Sequence, residues 1–153
     1  RPTIVKGESM VPTLYPNDYL IMNRLAYKNK PVEYLDVVVF HSKLSLDGES
    51  SKKKKDLVKR VIGLPGDIIE VKDGMVYRNG EELNEPYIND GITDRDIMVV
   101  VPQNQYFVMG DNRLNSSDSR DDRVGMISKE NIIGKVTLRL FPFSKITTDF
   151  LPE

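Results

Sequence analysis

Asp56-Leu57-Val58-Lys59-Arg60-Val61-Ile62-Gly63-Leu64-Pro65-Gly66-Asp67 sets a lysine in the middle of an apolar, β-forming run that a Gly/Pro turn closes. Side chains alternate along a strand, so Leu57, Lys59 and Val61 share one face while Val58, Arg60 and Ile62 share the other. Both faces are mostly apolar, and that gives Lys59 two readings. On an edge strand it snorkels to water. Held among apolar neighbours, its charged form loses hydration, its pKa falls from about 10.4 by up to ~3–5 units, and it becomes a base.

The segments around this run are also β in character. Pro2 to Val5 and Tyr19 to Asn23 read as strands on either side of the turn Tyr15-Pro16-Asn17-Asp18, and Asp36-Val37-Val38-Val39-Phe40, apolar on both faces, reads as a central strand. Beyond Asp67, Ile68 to Lys72 and Met75 to Arg78 form a hairpin across Asp73-Gly74, with another tight turn at Asn79-Gly80. Two further strands are expected at Ile97 to Val101 and Tyr106 to Met109, with the irregular Glu85 to Asp96 marking an insert on the main sheet. A single helical turn is expected at Ser128-Lys129-Glu130-Asn131, before a closing strand over Val136 to Phe141. The expected fold is mainly β, with at most short helices. Antiparallel sheets are expected to form a barrel-like core from 1–67 and 106–145, with 68–105 as a small β insert subdomain and 146–153 as a C-terminal tail.

The chain has 153 residues, a formal net charge of -1 and ordinary apolar content, which suits one globular unit and gives no sign of a nucleic-acid binder. With no cysteine there is neither a disulfide framework nor a thiolate zinc site, and no metal or organic cofactor is expected. No apolar run approaches the ~18–20 residues that span a bilayer. The first residue is Arg1 rather than Met, so the chain is expected to be a fragment or a processed form.

Three loops carry candidate chemistry. In Lys6-Gly7-Glu8-Ser9-Met10-Val11-Pro12-Thr13-Leu14, Gly7 permits a tight backbone and Pro12 fixes φ, so Ser9 is presented at a loop tip; it is a nucleophile there, or a turn former. His41, the only histidine, follows a strand end and is a partner for Ser9 or a surface residue. The loop from Ser42 to Lys55 carries Lys52-Lys53-Lys54-Lys55, read as solvated or as a contact for anionic lipid headgroups. The third loop, Gly110 to Asp122, is dense in Asp, Asn, Ser and Arg. It is either a mobile surface loop or one cross-linked by its own ion pairs.

Gly7-Glu8-Ser9-Met10-Val11-Pro12-Thr13-Leu14, Lys59-Arg60-Val61-Ile62-Gly63-Leu64-Pro65-Gly66-Asp67 and Gly110-Asp111-Asn112-Arg113 with Asn115-Ser116-Ser117-Asp118-Ser119-Arg120, in this order, resemble bacterial type I signal peptidase. The likeness runs from about Val5 to Phe143, and the short insert between Asp67 and Tyr106 is similar to that of Gram-positive members. The resemblance implies a serine endopeptidase that removes signal peptides from exported preproteins after a small-x-small sequence, through an acyl-enzyme. Ser9 is the implied nucleophile and Lys59 the general base. Ser116 supplies a hydroxyl beside the amine, the Ser9 backbone N–H serves the oxyanion, Met10 borders the substrate pocket, and Arg60, Asp111, Asp118 and Arg120 hold the loop. Gly7 stands where some members carry a hydroxyl donor to the oxyanion.

By the same resemblance the domain lies outside the bacterial cytoplasmic membrane, anchored by a transmembrane segment before Arg1 and working at the phospholipid surface. On that view Met10, Val11 and Leu14 form an exposed apolar patch. Two rivals are a self-cleaving protease of the SOS-repressor type, which lacks the Gly110-Asp111-Asn112-Arg113 loop, and the non-catalytic signal-peptidase-like modules of pilus assembly, which have lost the serine and lysine.

Overall fold

The computed structural model describes residues 3–45, 54–89, 91–141 and 147–151. Among the described residues eleven strands carry the fold: β1 Thr3–Ile4, β2 Tyr19–Asn23, β3 Val37–Ser45, β4 Lys54–Gly63, β5 Ile68–Lys72, β6 Met75–Arg78, β7 Glu81–Glu82, β8 Ile97–Val100, β9 Gln105–Met109, β10 Ile127–Ser128 and β11 Ile132–Phe141. The only helical turns among the described residues are the 3-10 turns Arg113–Asn115 and Lys129–Asn131. Seven strands form one antiparallel sheet in the order β1-β2-β11-β3-β4-β9-β10, and four form a second in the order β7-β6-β5-β8.

The mainly β, antiparallel architecture is as expected, and the barrel-like form is not confirmed. Among the described residues the large sheet does not close: β1 pairs only with β2 and β10 only with β9, so both end strands keep one free edge. The last long strand does not close a sheet either. It lies between β2 and β3, and it begins at Ile132 rather than Val136.

β4 is central. It pairs with β3 from Val37↔Arg60 to Ser45↔Lys54 and with β9 from Arg60↔Met109 to Gly63↔Phe107. Period-two alternation therefore sends Leu57, Lys59 and Val61 toward the core that holds Val38, Phe40 and Val108, while Val58 faces the core of Val5, Met10, Leu14 and Val39. Ile62, Phe107 and Met109 join Ile69, Val71, Val76 and Val101 in a third core that seats the small sheet on the large one. Gly63 is the close approach in this joint: a Cβ there would lie 2.9 Å from Ile69 and 3.0 Å from Phe107 and Val101. The expected exposed patch is also corrected. Met10 and Leu14 are 2 % and 0 % exposed, and Val11 is half-buried, because the serine loop folds its apolar side chains beneath itself.

Candidate active site

The loop after β1 is built from overlapping turns, with Val11 N–H on Glu8 O (3.2 Å), Thr13 N–H on Met10 O (2.7 Å) and Leu14 N–H on Met10 O (2.9 Å). Gly7 enters it at φ +82°, a backbone state that L side chains rarely adopt. With Met10 and Leu14 as its buried feet, the loop holds Ser9 at the surface of the core, half-exposed. Lys59 Nζ donates to Ser9 Oγ at 2.7 Å, joining residues that lie 50 positions apart in sequence.

Lys59 is 3 % exposed. Burial lowers its pKa from 10.5 to about 8, with the Asp118 carboxylate opposing that fall and the Arg120 guanidinium adding to it. Of the two readings of the central strand, the buried one is therefore correct. A lysine of this kind has a sizeable neutral fraction near pH 8, whereas an ordinary one is about 0.04 % neutral at pH 7.

The Gly110–Asp122 loop is cross-linked, not loose. Asp118 is fully buried and accepts five hydrogen bonds: from Gly110 N–H (3.0 Å), Ser116 Oγ–H (2.8 Å), the Arg120 backbone N–H (3.2 Å), and Arg120 Nε and Nη2 (2.9 Å each). Arg60 grips Asp111 with two parallel bonds, Nε to Oδ1 (2.9 Å) and Nη2 to Oδ2 (2.8 Å), and both side chains are buried. Thr13 Oγ1 donates to the same carboxylate. Next to it, Asn112 N–H donates to Ser9 O (2.8 Å) and Asn112 Nδ2 to Glu8 O (3.0 Å), tying this loop to the serine loop.

Ser116 does not join Lys59 by a hydrogen bond; its proton goes to Asp118. It nonetheless belongs to the same knot, because Gly110 packs so tightly that a Cβ there would lie 2.2 Å from Ser116 Oγ and 2.5 Å from Ser9 O. His41 stands apart, with Nδ1 2.7 Å from Asp56 Oδ1 in an exposed pair. Of the lysine run, Lys54 and Lys55 belong to β4, while Lys52 and Lys53 lie outside the described residues.

Several residues that hold this knot escape a reading of the sequence. Glu85 clamps Arg113 through both carboxylate oxygens (2.9 and 2.6 Å), and Arg113 Nε donates in turn to Gly110 O (2.9 Å). Thr93 accepts from Arg113, Asp94 accepts from Arg120, and Asn89 N–H donates to Asp111 O. The Tyr87 ring lies 4.3 Å under the Arg60 guanidinium. All five come from 85–94, which looks like irregular linker. Only its acidic residues hint at the arginines they meet.

A cleft of about 320 Å³ opens at Ser9. Thr3 to Lys6, Ser9 and Met10 line one wall, and Lys54 and Asp56 to Lys59 line the other. Among the described residues β9 pairs with β4 only from Arg60 onward, so no strand lies against Asp56 to Val58 on the side away from β3, and none lies against β1 on the side away from β2. No group of side chains suited to a metal occurs among the described residues, and no helix there is long and apolar enough to cross a membrane.

The chain is 39 % identical over 170 residues to signal peptidase IB of Staphylococcus aureus (strain Mu50 / ATCC 700699), covering 99 % of this chain and 83 % of that protein. It is also 39 % identical over 161 residues to signal peptidase I of Bacillus caldolyticus, with 96 % and 82 % covered. Among solved structures, a signal peptidase I from Enterococcus faecalis V583 superposes with a TM-score of 0.57 at 29 % identity, over 71 % of this chain and 98 % of that one. The family model for signal peptidase, peptidase S26, matches residues 1–141, which spans the serine loop, β4 and the cross-linked loop alike; the chain belongs to that family of peptidases.

Proposed function

We propose that Ser9 and Lys59 are the nucleophile and general base of a membrane-associated endopeptidase that cuts signal peptides from exported preproteins. The observation that carries this is the 2.7 Å contact of Lys59 Nζ with Ser9 Oγ at a lysine whose pKa burial lowers to about 8. Once the ammonium loses its proton, the amine accepts that of the Ser9 hydroxyl as Oγ attacks the scissile carbonyl carbon. The Ser9 N–H faces the developing oxyanion, and Lys59 then returns the proton to the departing amine of the mature protein. An ester of Ser9 remains. Lys59 deprotonates a water that hydrolyses it and frees the signal peptide. Ser116, its own proton committed to Asp118, keeps oxygen lone pairs with which to orient the lysine. Arg60, Asp111, Asp118 and Arg120 fix the frame.

The cleft suits an extended peptide laid between β1 and the Asp56 to Val58 stretch of β4, where main-chain hydrogen bonds supply binding and alternate side chains supply selection. In such a strand the first and third residues before the cut point to the same side. That side meets Met10 and its neighbours in a floor that leaves room for small side chains, which is the basis of the small-x-small preference. Ile4, Tyr15 and Tyr19 are 44, 39 and 37 % exposed beside the β1 edge, and they replace Met10, Val11 and Leu14 as the apolar surface that meets phospholipid on the extracytoplasmic side of the membrane.

The test is to incubate the full chain, with and without Ser9→Ala, with a preprotein in the presence and absence of anionic vesicles, and to weigh the products. The reading expects one new N-terminus, after a small-x-small sequence, made only by the Ser9 chain and faster with vesicles. Cleavage by Ser9→Ala would sink the mechanism. Equal rates with and without lipid would sink the membrane surface.

A further inference from the structure

The described segment Thr147–Leu151 bonds outward to groups that already hold the serine or the lysine. Thr147 forms an antiparallel bridge with Arg139 (2.8 and 3.3 Å), whose Nη1 donates to Thr13 O (2.8 Å) in the serine loop. Phe150 packs against the core that contains Met10 and Leu14. Its carbonyl accepts from Arg60 Nη2 at 2.8 Å. Within the segment, Thr147 Oγ1 bonds the backbone of Asp149, and Asp149 Oδ1 accepts from Leu151 N–H, all at 3.0 Å, so the turn that presents the Phe150 carbonyl is set locally. Cavities of about 200 and 350 Å³ flank the segment, the first against Pro12, Thr13, Pro86 and Tyr87, the second against Leu35, Asp36 and Lys135. The segment is pinned at a few points rather than embedded.

We infer that Thr147–Leu151 is a positioning strap for the peptidase site and acts through Arg60. This rests on the Ser9–Lys59 reading above. Arg60 follows Lys59 on β4, and its fork on Asp111 sets where Asn112 grips Ser9 O. A buried guanidinium must place its donors. Among the described residues its remaining hydrogen-bond acceptor besides Asp111 and Phe150 is Leu35 O, at 3.3 Å. Without the strap the two cavities merge, water reaches Nη2, and the guanidinium re-solvates at the expense of Asp111. The core stays intact, but the serine loses its register against the lysine.

The experiment compares the full chain with one stopped after Ile146, a control stopped after Leu151, and Ser9→Ala. Readouts are steady-state hydrolysis of a signal-peptide substrate, labelling by a serine-directed acylating reagent, and thermal melting. The strap predicts that stopping after Leu151 leaves the rate unchanged. Stopping after Ile146 lowers kcat and the acylation rate at least about tenfold, with KM within about twofold and a cooperative melt retained. A synthetic peptide of residues 147–153 restores the rate saturably, and the same peptide with Phe150→Ala does not. A folded chain ending at Ile146 with kcat within about twofold of the intact chain overturns the inference. If that chain does not fold, Phe150→Ala in the intact chain decides: a fall in kcat of about threefold or more at unchanged KM supports the strap, and a smaller one overturns it. An active Ser9→Ala sinks the Ser9–Lys59 reading itself, whereas an inert Ser9→Ala beside a fully active stopped chain sinks the strap alone.

Discussion

Replacing Lys59 with methionine should abolish activity and make the protein more stable at neutral pH. Methionine fills about the same volume without a charge, so the packing around Val38, Leu57 and Val61 is largely kept. The gain follows from linkage. Lys59 titrates at about 8 in the folded chain against 10.5 ordinarily, and at ~1.36 kcal/mol per pKa unit the difference is about 3 kcal/mol. Below pH 8 both folded and unfolded chains hold the proton, and the folded one bears the whole cost of burying it. Between about 8 and 10.5 the unfolded chain binds a proton that the folded one has released, so wild-type stability rises with pH and the cost disappears. Losing the hydrogen bond to Ser9 offsets about 1 kcal/mol, leaving a net gain of about 2 kcal/mol at pH 7. For a chain of this size that corresponds to roughly 4–8 °C in Tm. Urea unfolding of both proteins at pH 7 and pH 10 measures it. A Lys59→Met chain less stable than wild type at pH 7, or an advantage that does not shrink by pH 10, would refute the reasoning.

Lys59→Arg should be inactive at every accessible pH, because guanidinium does not deprotonate in proteins; a folded variant keeping more than about a tenth of the wild-type rate, ~1.4 kcal/mol of lost transition-state stabilisation, excludes Lys59 as the base. Gly110→Ala should cost at least about 100-fold in kcat, ~2.7 kcal/mol, since its Cβ would sit 2.2 Å from Ser116 Oγ and 2.5 Å from Ser9 O; a rate within threefold of wild type speaks against so tight a knot. Asp118→Asn removes the charge that raises the Lys59 pKa, so the rising limb of the pH–rate profile should move to lower pH while its plateau falls. A limb that moves to higher pH contradicts that sign.

What could be read from the sequence, and what could not, follows from the range of the interactions. Tyr19–Asn23, Ile68–Lys72 and Met75–Arg78 are strands with the bounds that alternation and their turns dictate, because both signals are local. The helical turn expected before Ile132 shrinks to three residues of 3-10, since Ser128 makes no side-chain cap. The order of the sheet is a different matter. That β11 inserts between β2 and β3 is decided by pairings such as Lys135↔Asn23 and Lys135↔Val38, across a hundred residues, and no local pattern carries them. The exposed patch expected at Met10 and Leu14 fails for the same reason. Their burial depends on Val37, Val39 and Val136, which only the sheet brings beneath the loop.

Lys59 stands out in the sequence because a charge on an apolar strand is expensive and so calls for an explanation. The residues that hold it give no such signal. Arg, Asp, Asn and Ser in a loop have the same composition whether each faces water or another member of the loop, and composition records residue types but not partners. Asp118 has five donors, and Arg113 and Glu85 meet across 28 positions, so this loop is cross-linked throughout, yet its sequence is that of a solvated surface. Its construction follows from the task proposed for it. An apolar pocket alone cannot hold the pKa of a lysine down if a carboxylate stands nearby to attract its proton, and Asp118 does stand nearby, raising the pKa that burial lowers. Three residues limit that pull. Arg120 neutralises the carboxylate from one side, and the donors of Ser116 and Gly110 occupy the oxygen they share, Oδ2. Removing any of these donors leaves more of the Asp118 charge for Lys59, and a pKa held near 8 then drifts back toward 10.5, out of reach at neutral pH.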